Sequence, residues 1–313
     1  MERPCELDVL GIGAATLDTI GIVDEFAAPD TKVRVHAVER HGGGTAATAM
    51  VACRRLGLRP GLIAKIGDDA EGREIVRGLE AEGVDVSQMV TGAGQRSTGS
   101  FCFANRKTSQ RVIYHYRSQL PFLAFTQIDQ SLLKRVPILL VDTAELPAAA
   151  KAAEVARGAG GMTVMDGDSV RAGSDEALPH IDYLVASWEF ARGQTMADTP
   201  QRALEALRWS GHHRAVVITL GAEGYVGAEG GRASFRGEAF RVKAVDTTGA
   251  GDVFHGAFCV GLSRRWPLEQ ACVFAAACAA IKCRRLGGRQ GIPTWDEAIA
   301  FCRENARWHD WPE

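Results

Sequence analysis

The sequence predicts an α/β fold: a mostly parallel sheet covered by helices on both faces, with a small second sheet inserted into it. Three features carry this. Short apolar runs alternate with helical segments along most of the 313 residues, the pattern of βαβ units. Residues 18–40 and 98–117 break that rhythm with β-branched and aromatic residues in alternation, as in Phe101, Phe103 and Val112 to Tyr116; such period-two stretches pair as strands. Near the C-terminal end a glycine-rich turn bounded by acids, residues 246–252, opens an apolar helix, where backbone N–H groups gather at a positive helix end.

The elements follow in order. Leu7 to Gly13 is an apolar run bounded by turn residues and reads as a buried first strand. Thr45 to Leu56 is an Ala-rich helix closed by Gly57. Leu62 to Ile66 reads as one strand, and Ala70 to Glu82 as a helix ended by Gly83. Pro137 to Val141 is a strand, Pro147 to Ala159 a helix, and Met162 to Met165 and Tyr183 to Val185 are short strands. Thr199-Pro200 supplies an N-cap and a first-turn proline for a helix that runs to Trp209 before Gly211. Ala215 to Leu220 is a β-branched strand, and Val253 to Leu262 a helix. Tight turns at Pro29-Asp30 and Asn105-Arg106-Lys107 fall inside the inserted stretches, which favours a separate lid sheet over edge strands of the main one.

The formal net charge of −2 offers no global attraction to nucleic acid or an anionic membrane. The basic pairs Arg54-Arg55, Arg264-Arg265 and Arg284-Arg285 read as solvated helix surface. The longest apolar run, Ala271 to Cys283, is shorter than a membrane span and flanked by charge. Residues 1–6 lack the apolar stretch of a signal peptide. Eight cysteines form no C-x-x-C pair and mostly sit in apolar surroundings, as free thiols do in a reducing cytoplasm.

The strongest motif is Asp246-Thr247-Thr248-Gly249-Ala250-Gly251-Asp252. A helix-capping turn accounts for one glycine and one acid. It leaves the other acid, the second glycine and the two threonines unexplained. Small residues let backbone N–H groups approach an anion, and Asp252 beside them can take a proton from a hydroxyl, which suits phosphoryl transfer to an alcohol. Gly42-Gly43-Gly44 opens the helix at Thr45 and can wrap a polar ligand; a plain left-handed turn is the bland alternative. Gly11 and Gly13 end the first strand with Asp18 beyond them, but Thr16 stands where a dinucleotide motif has its third glycine. Thr219-Leu220-Gly221-Ala222-Glu223-Gly224 forms a tight turn after the β-branched strand. No P-loop, H-E-x-x-H or G-x-S-x-G motif is present. His115, His255 and His212-His213 read as structural or exposed.

Taken together, these residues resemble the PfkB, or ribokinase-like, family of carbohydrate kinases, over nearly the whole chain. The resemblance implies a ribokinase-like three-layer α/β/α sandwich with a small β-sheet lid. Residues 1–313 would form a single kinase domain, with lid strands inserted at about 18–40 and 98–117. ATP with Mg2+ would be the donor, a small sugar the acceptor, and the lid a homodimer surface, with neither nucleic acid nor membrane as partner. By match, Asp252 is the catalytic base and the amides of Gly249, Ala250 and Gly251 are the anion hole. Asp18, Gly43 and Gly44 hold the sugar, with Thr48 where sugar-binding members often carry Asn. Thr219, Gly221 and Gly224, with Gly288, belong to the nucleotide site, and Asp246 and Thr248 match positions that help bind a monovalent cation such as K+. The family's N-x-x-E segment appears as Ser187-Trp188-Glu189-Phe190, with the acid one place early; Glu189 is the acid assigned to magnesium.

Within the family, Gly42 to Ala49, Met162 to Asp168, His255, Lys282-Cys283 and Gly287 to Pro293 are similar to sulfofructose kinases, and Asp18 to Arg34 to ketohexokinase. Lys32 matches a lysine that meets an anionic substrate head. His115 and Thr143-Ala144 stand at other anion-contacting positions in place of basic groups, so a neutral ketose or fructose-like sugar leads over a sulfonated one. A nucleoside acceptor would need aromatic stacking, for which Phe101, Phe103 and Tyr116 are the candidates.

Overall fold

A computed structural model describes residues 6–108, 110–210, 213–305 and 311. Cys5, Gly211 and His212 lie outside them. Among the described residues, eight strands form the main sheet, in the order Phe235–Gly237, Tyr225–Glu229, Ala215–Thr219, Tyr183–Ser187, Met162–Gly167, Ile138–Val141, Val9–Ile12, Pro60–Ile63. All neighbours are parallel except the two pairs at the Phe235–Gly237 end. The sheet is apolar on both faces because helices cover both, so its strands read as continuous apolar runs. Along the strand Ile138–Val141, Ile138 and Leu140 enter one core while Leu139 and Val141 enter the other. The first core takes the helices Thr45–Arg55, Ala250–Ser263 and Leu268–Lys282; the second takes Leu146–Gly158 and Pro200–Trp209. That is the three-layer sandwich the resemblance implies.

Thr199 caps its helix as the sequence requires, its hydroxyl accepting from the Arg202 amide at 3.3 Å. Among the described residues, seven cysteines are free and buried. No described helix is long and apolar enough to cross a membrane. Two expectations need correction. The run Leu62 to Ile66 is not one strand: Pro60–Ile63 pairs in the main sheet, whereas Lys65–Gly67 pairs with Val90–Gly92. Only the half-buried Lys65 marks the change of partner in an otherwise apolar run. Arg55 is not solvated surface: it pairs with Glu82 at 2.6 Å and donates to the carbonyls of Arg289 and Ile292.

A second sheet has the order Val35–Gly43, Thr16–Val23, Gly99–Asn105, Arg111–Tyr116, with the two inner strands parallel. Its register sorts side chains by parity, since paired residues share a face. His41, Asp18, Ser100 and His115 form one row across all four strands. Arg111 lies four residues before His115, on the same face. The next row, Arg40, Thr19, Phe101 and Tyr114, faces the opposite way.

Candidate active site

The site lies where the parallel strands end. The strand Val9–Ile12 delivers Ala14, Ile138–Val141 delivers Asp142, Met162–Gly167 delivers Asp166, and Ala215–Thr219 delivers the turn at Gly221. Such a carboxyl-end crevice is where open α/β sheets bind ligands.

The turn before the helix Ala250–Ser263 is held from several sides. The amides of Val245 and Asp246 donate to the Cys283 carbonyl at 2.7 and 3.1 Å, which ties the turn to the end of the helix Leu268–Lys282. Gly249 adopts φ 76°, and a Cβ there would stand 2.7 Å from the Gly288 carbonyl oxygen; only glycine meets both conditions without strain. The helix starts three residues earlier than the sequence suggested, at Ala250. Its first-turn amides lack intrahelical acceptors by geometry. Of the three assigned to an anion, Ala250 N already donates to the Thr247 carbonyl at 3.2 Å, while Gly249 and Gly251 have no acceptor among the described residues.

Asp252 occupies the first turn of that helix and is partly exposed. Burial first, then the Asp166 carboxylate, pushes its pKa up to about 7, with His255 and Arg289 opposing. His255, one turn on, is buried. Its Nδ1 lies 2.7 Å from the Gly251 carbonyl and its Nε2 2.9 Å from that of Val185. Carbonyls only accept, so both ring nitrogens donate and the ring is an imidazolium. Burial opposes that charge, but Asp166 at 2.9 Å and the two carbonyls hold the pKa up at about 9.

The other wall is the Asp18 row. Asp18 Oδ1 accepts from the Ser100 hydroxyl at 2.6 Å, and burial raises its pKa. A Cβ on Gly43 would overlap the second Asp18 oxygen, so that residue's lack of a side chain makes the carboxylate accessible. Gly44 is the N-cap of the helix Thr45–Arg55. We expect Gly43→Ala to raise the KM for the acceptor by about tenfold or more, since small displacements of a positioning group are costly, with KM for the nucleotide unchanged; equal effects on both would remove Gly43 from the acceptor site.

At the start of the helix Ala250–Ser263, a cavity of about 700 Å3 is lined by Thr219, Gly221, Gly224, Ala250 and Gly251, and by Ala276, Ala279 and Ala280 from the helix Leu268–Lys282. Those three alanines were not foreseen; a run of small residues in an apolar helix is indistinguishable from ordinary packing. Gly288 does not line the cavity but lies behind Gly249. Thr48 is fully buried and accepts from Arg289 Nε at 3.3 Å. Lys32 is exposed on the segment joining two strands of the second sheet, and among the described residues no hydrogen bond or ion pair ties it to the Asp18 row. Glu189 is exposed in the first turn of the helix Trp188–Thr195, where Ser187 takes the capping role, accepting from the Phe190 amide at 3.0 Å.

Two further residues organise the site. Asp142 is buried and accepts from the amides of Ala14, Ala46 and Ala144 at 2.8, 3.1 and 2.8 Å. Burial pushes its pKa up to about 7. It thereby fastens the end of the first strand to the start of the glycine helix. Arg289 is buried, donates to the Gly43 carbonyl at 2.6 Å, and acts electrostatically on both Asp252 and Asp18; burial lowers its pKa to about 10.

Known proteins share this architecture. The pattern of the pfkB family carbohydrate kinases matches residues 7–295. The chain is 29% identical to a ribokinase of Haemophilus influenzae over 301 residues, 93% of this chain and 96% of that one. It is 27% identical to a nucleoside kinase of Methanothermobacter thermautotrophicus, over 96% of each. The solved ribokinase of Thermotoga maritima superposes with a TM-score of 0.84 at 25% identity, covering 95% of this chain and 99% of that one. The chain belongs to the pfkB family of carbohydrate kinases and is an ATP-dependent phosphotransferase of ribokinase-like fold.

Proposed function

We propose that the chain transfers the terminal phosphoryl group of ATP to a hydroxyl of a small, neutral, ketose-like sugar. The observation that carries this reading is the position of Asp252, at the helix end that bounds the 700 Å3 cavity and in electrostatic contact with Arg289, which also acts on the Asp18 row. The cavity has the volume of a nucleotide-sized site, with Thr219, Gly221 and Gly224 along one wall. The sugar sits against Asp18 and Gly43, and Asp252 takes the proton of the attacking hydroxyl. The amides of Gly249 and Gly251 steady the phosphoryl oxygens, since charge on those oxygens makes electrostatic stabilisation the main demand.

A bound Mg2+ would supply charge neutralisation on the phosphates of the nucleotide, and Glu189, exposed in the first turn of its helix, is the carboxylate that would help hold it. No group of three or more metal-ligating side chains gathers among the described residues, and a magnesium ion held mainly by phosphates and water needs none.

Parity in the second sheet favours a sugar over a nucleoside. Phe101 packs against Tyr116 at 5.6 Å and Phe103 against Tyr114 at 6.4 Å, all four on the face away from Asp18. The acceptor side carries His41, Ser100 and His115 instead, polar groups suited to hydroxyls. On this reading the chain is one kinase domain and the second sheet is its lid. The outward face, with Phe101 at 47%, Tyr114 at 62% and Val38 at 65% exposure, is the surface for a second copy. Seven buried free thiols fit a cytoplasmic setting.

The test is a panel of ketoses, aldoses, sulfosugars and nucleosides, each assayed for ATP-dependent phosphorylation and for thermal stabilisation with an ATP analogue. A neutral ketose is expected to give the highest kcat/KM. Preference for a sulfosugar would move the assignment to an anionic acceptor, and preference for a nucleoside would overturn it.

A further inference from the structure

The sequence resemblance assigns Asp246 and Thr248 to a monovalent cation, and the donor set there does not fit one. Asp246 Oδ1 accepts from Arg111 at 2.5 Å, from the Thr248 amide at 2.9 Å and from the Thr248 hydroxyl at 2.7 Å. Its Oδ2 accepts from the Gly287 amide at 2.9 Å. The Asp246 carbonyl accepts from Lys282 Nζ, also at 2.9 Å. Arg111 further donates to the Thr248 hydroxyl. One carboxylate oxygen thus carries three donors, the other carries a fourth, and the backbone oxygen a fifth. A metal ion needs several oxygens with lone pairs to spare, and the oxygens named here already have donors.

Charge gives the same answer. Arg111 is permanently cationic and reaches in from the edge strand of the second sheet. Lys282 is fully buried at the end of the helix Leu268–Lys282. A third positive charge within a few ångströms of both would be repelled.

We propose that the chain carries its own cations at this turn, Arg111 and Lys282, and that phosphoryl transfer therefore needs no monovalent metal ion. Arg111 is a positioning residue: it fixes the Asp246 carboxylate, and through Thr248 the turn that presents Gly249 and Gly251. Because it belongs to the second sheet, that sheet completes the turn when it sits over the crevice. The inference rests on the reading of this turn as the phosphoryl site.

The experiment compares kcat in K+, Na+ and tetramethylammonium at fixed ionic strength and saturating Mg2+. The wild-type protein is expected to vary by less than about twofold. Arg111→Gln is expected to be slower in tetramethylammonium and to recover at least about fivefold in K+, on the scale of an electrostatic group at a phosphoryl site. Melting temperatures with an ATP analogue supply a second readout: wild type shows no potassium-specific shift, and Arg111→Gln does, as binding to the folded state requires. A wild-type enzyme activated tenfold or so by K+, or stabilised by it specifically, overturns the inference, as does an Arg111→Gln protein as fast as wild type in tetramethylammonium. Failure to phosphorylate any sugar in any salt would instead sink the underlying kinase assignment, so the two failures are distinct.

Discussion

Asp252→Asn is expected to lower kcat by about 10²–10⁴-fold, the usual contribution of a positioned general base, while the protein stays folded. The pH dependence supplies an independent check. The Asp252 carboxyl has a pKa of about 7, so kcat/KM for the acceptor should rise with pH through that value as the base loses its proton, and the residual activity of the Asn variant should lack that limb. The sign of the stability effect is opposite. A carboxyl whose folded pKa lies above its unfolded value makes the folded state hold the proton more tightly, so stability declines as pH climbs from about 4 through about 7. The Asn variant escapes that decline and should melt higher than wild type at pH 8, with the gap closing near pH 4. A variant that melts lower at pH 8, or turns over normally, would remove Asp252 from the role assigned to it.

The second large effect belongs to a residue that no motif flagged. Asp142→Ala is expected to destabilise the protein by about 3 kcal/mol in urea unfolding, because it strands three amides in a buried site and leaves a void. Two of those amides, of Ala14 and Ala46, join the first strand to the glycine helix, so the sugar-binding wall should loosen with the fold. Asp142→Asn keeps one acceptor and the volume, and should lose less than half as much. If the two variants are equally stable, the amide bonds are not the source.

The contrast between these two acids marks how far the sequence could be read. The turn from Asp246 to Asp252 was legible because its parts are consecutive: glycine conformation, helix start and acid all fall within seven residues. The two faces of the second sheet were foreseeable from alternation once the register was known, but the register depends on pairing. The groups that complete the site come from far along the chain. Asp142 meets Ala14 across 128 residues, and Arg111 meets Asp246 across 135. Arg289 sits between glycines in the sequence, and only the fold brings it, buried, onto the Gly43 carbonyl. No local pattern marks such encounters, since a lone Asp or Arg carries no periodicity. The same reasoning explains Thr48: its helix was placed correctly, but which way its hydroxyl turns is decided by Arg289 packing against it.

The even-and-odd sorting of the second sheet has a consequence for how the chain can change. Loop lengths are free, because the turns at its ends lie off the ladder. Strand interiors are not. Deleting or adding one residue just ahead of Asp18, with the ladder otherwise kept, would exchange the surfaces: the carboxylate would swing to the solvent side and an aromatic-facing position would take its place over the crevice. Two residues could be tolerated where one cannot. Insertions and deletions in this segment should therefore be counted modulo two, a rule that protects the binding surface more strictly than any single side chain does.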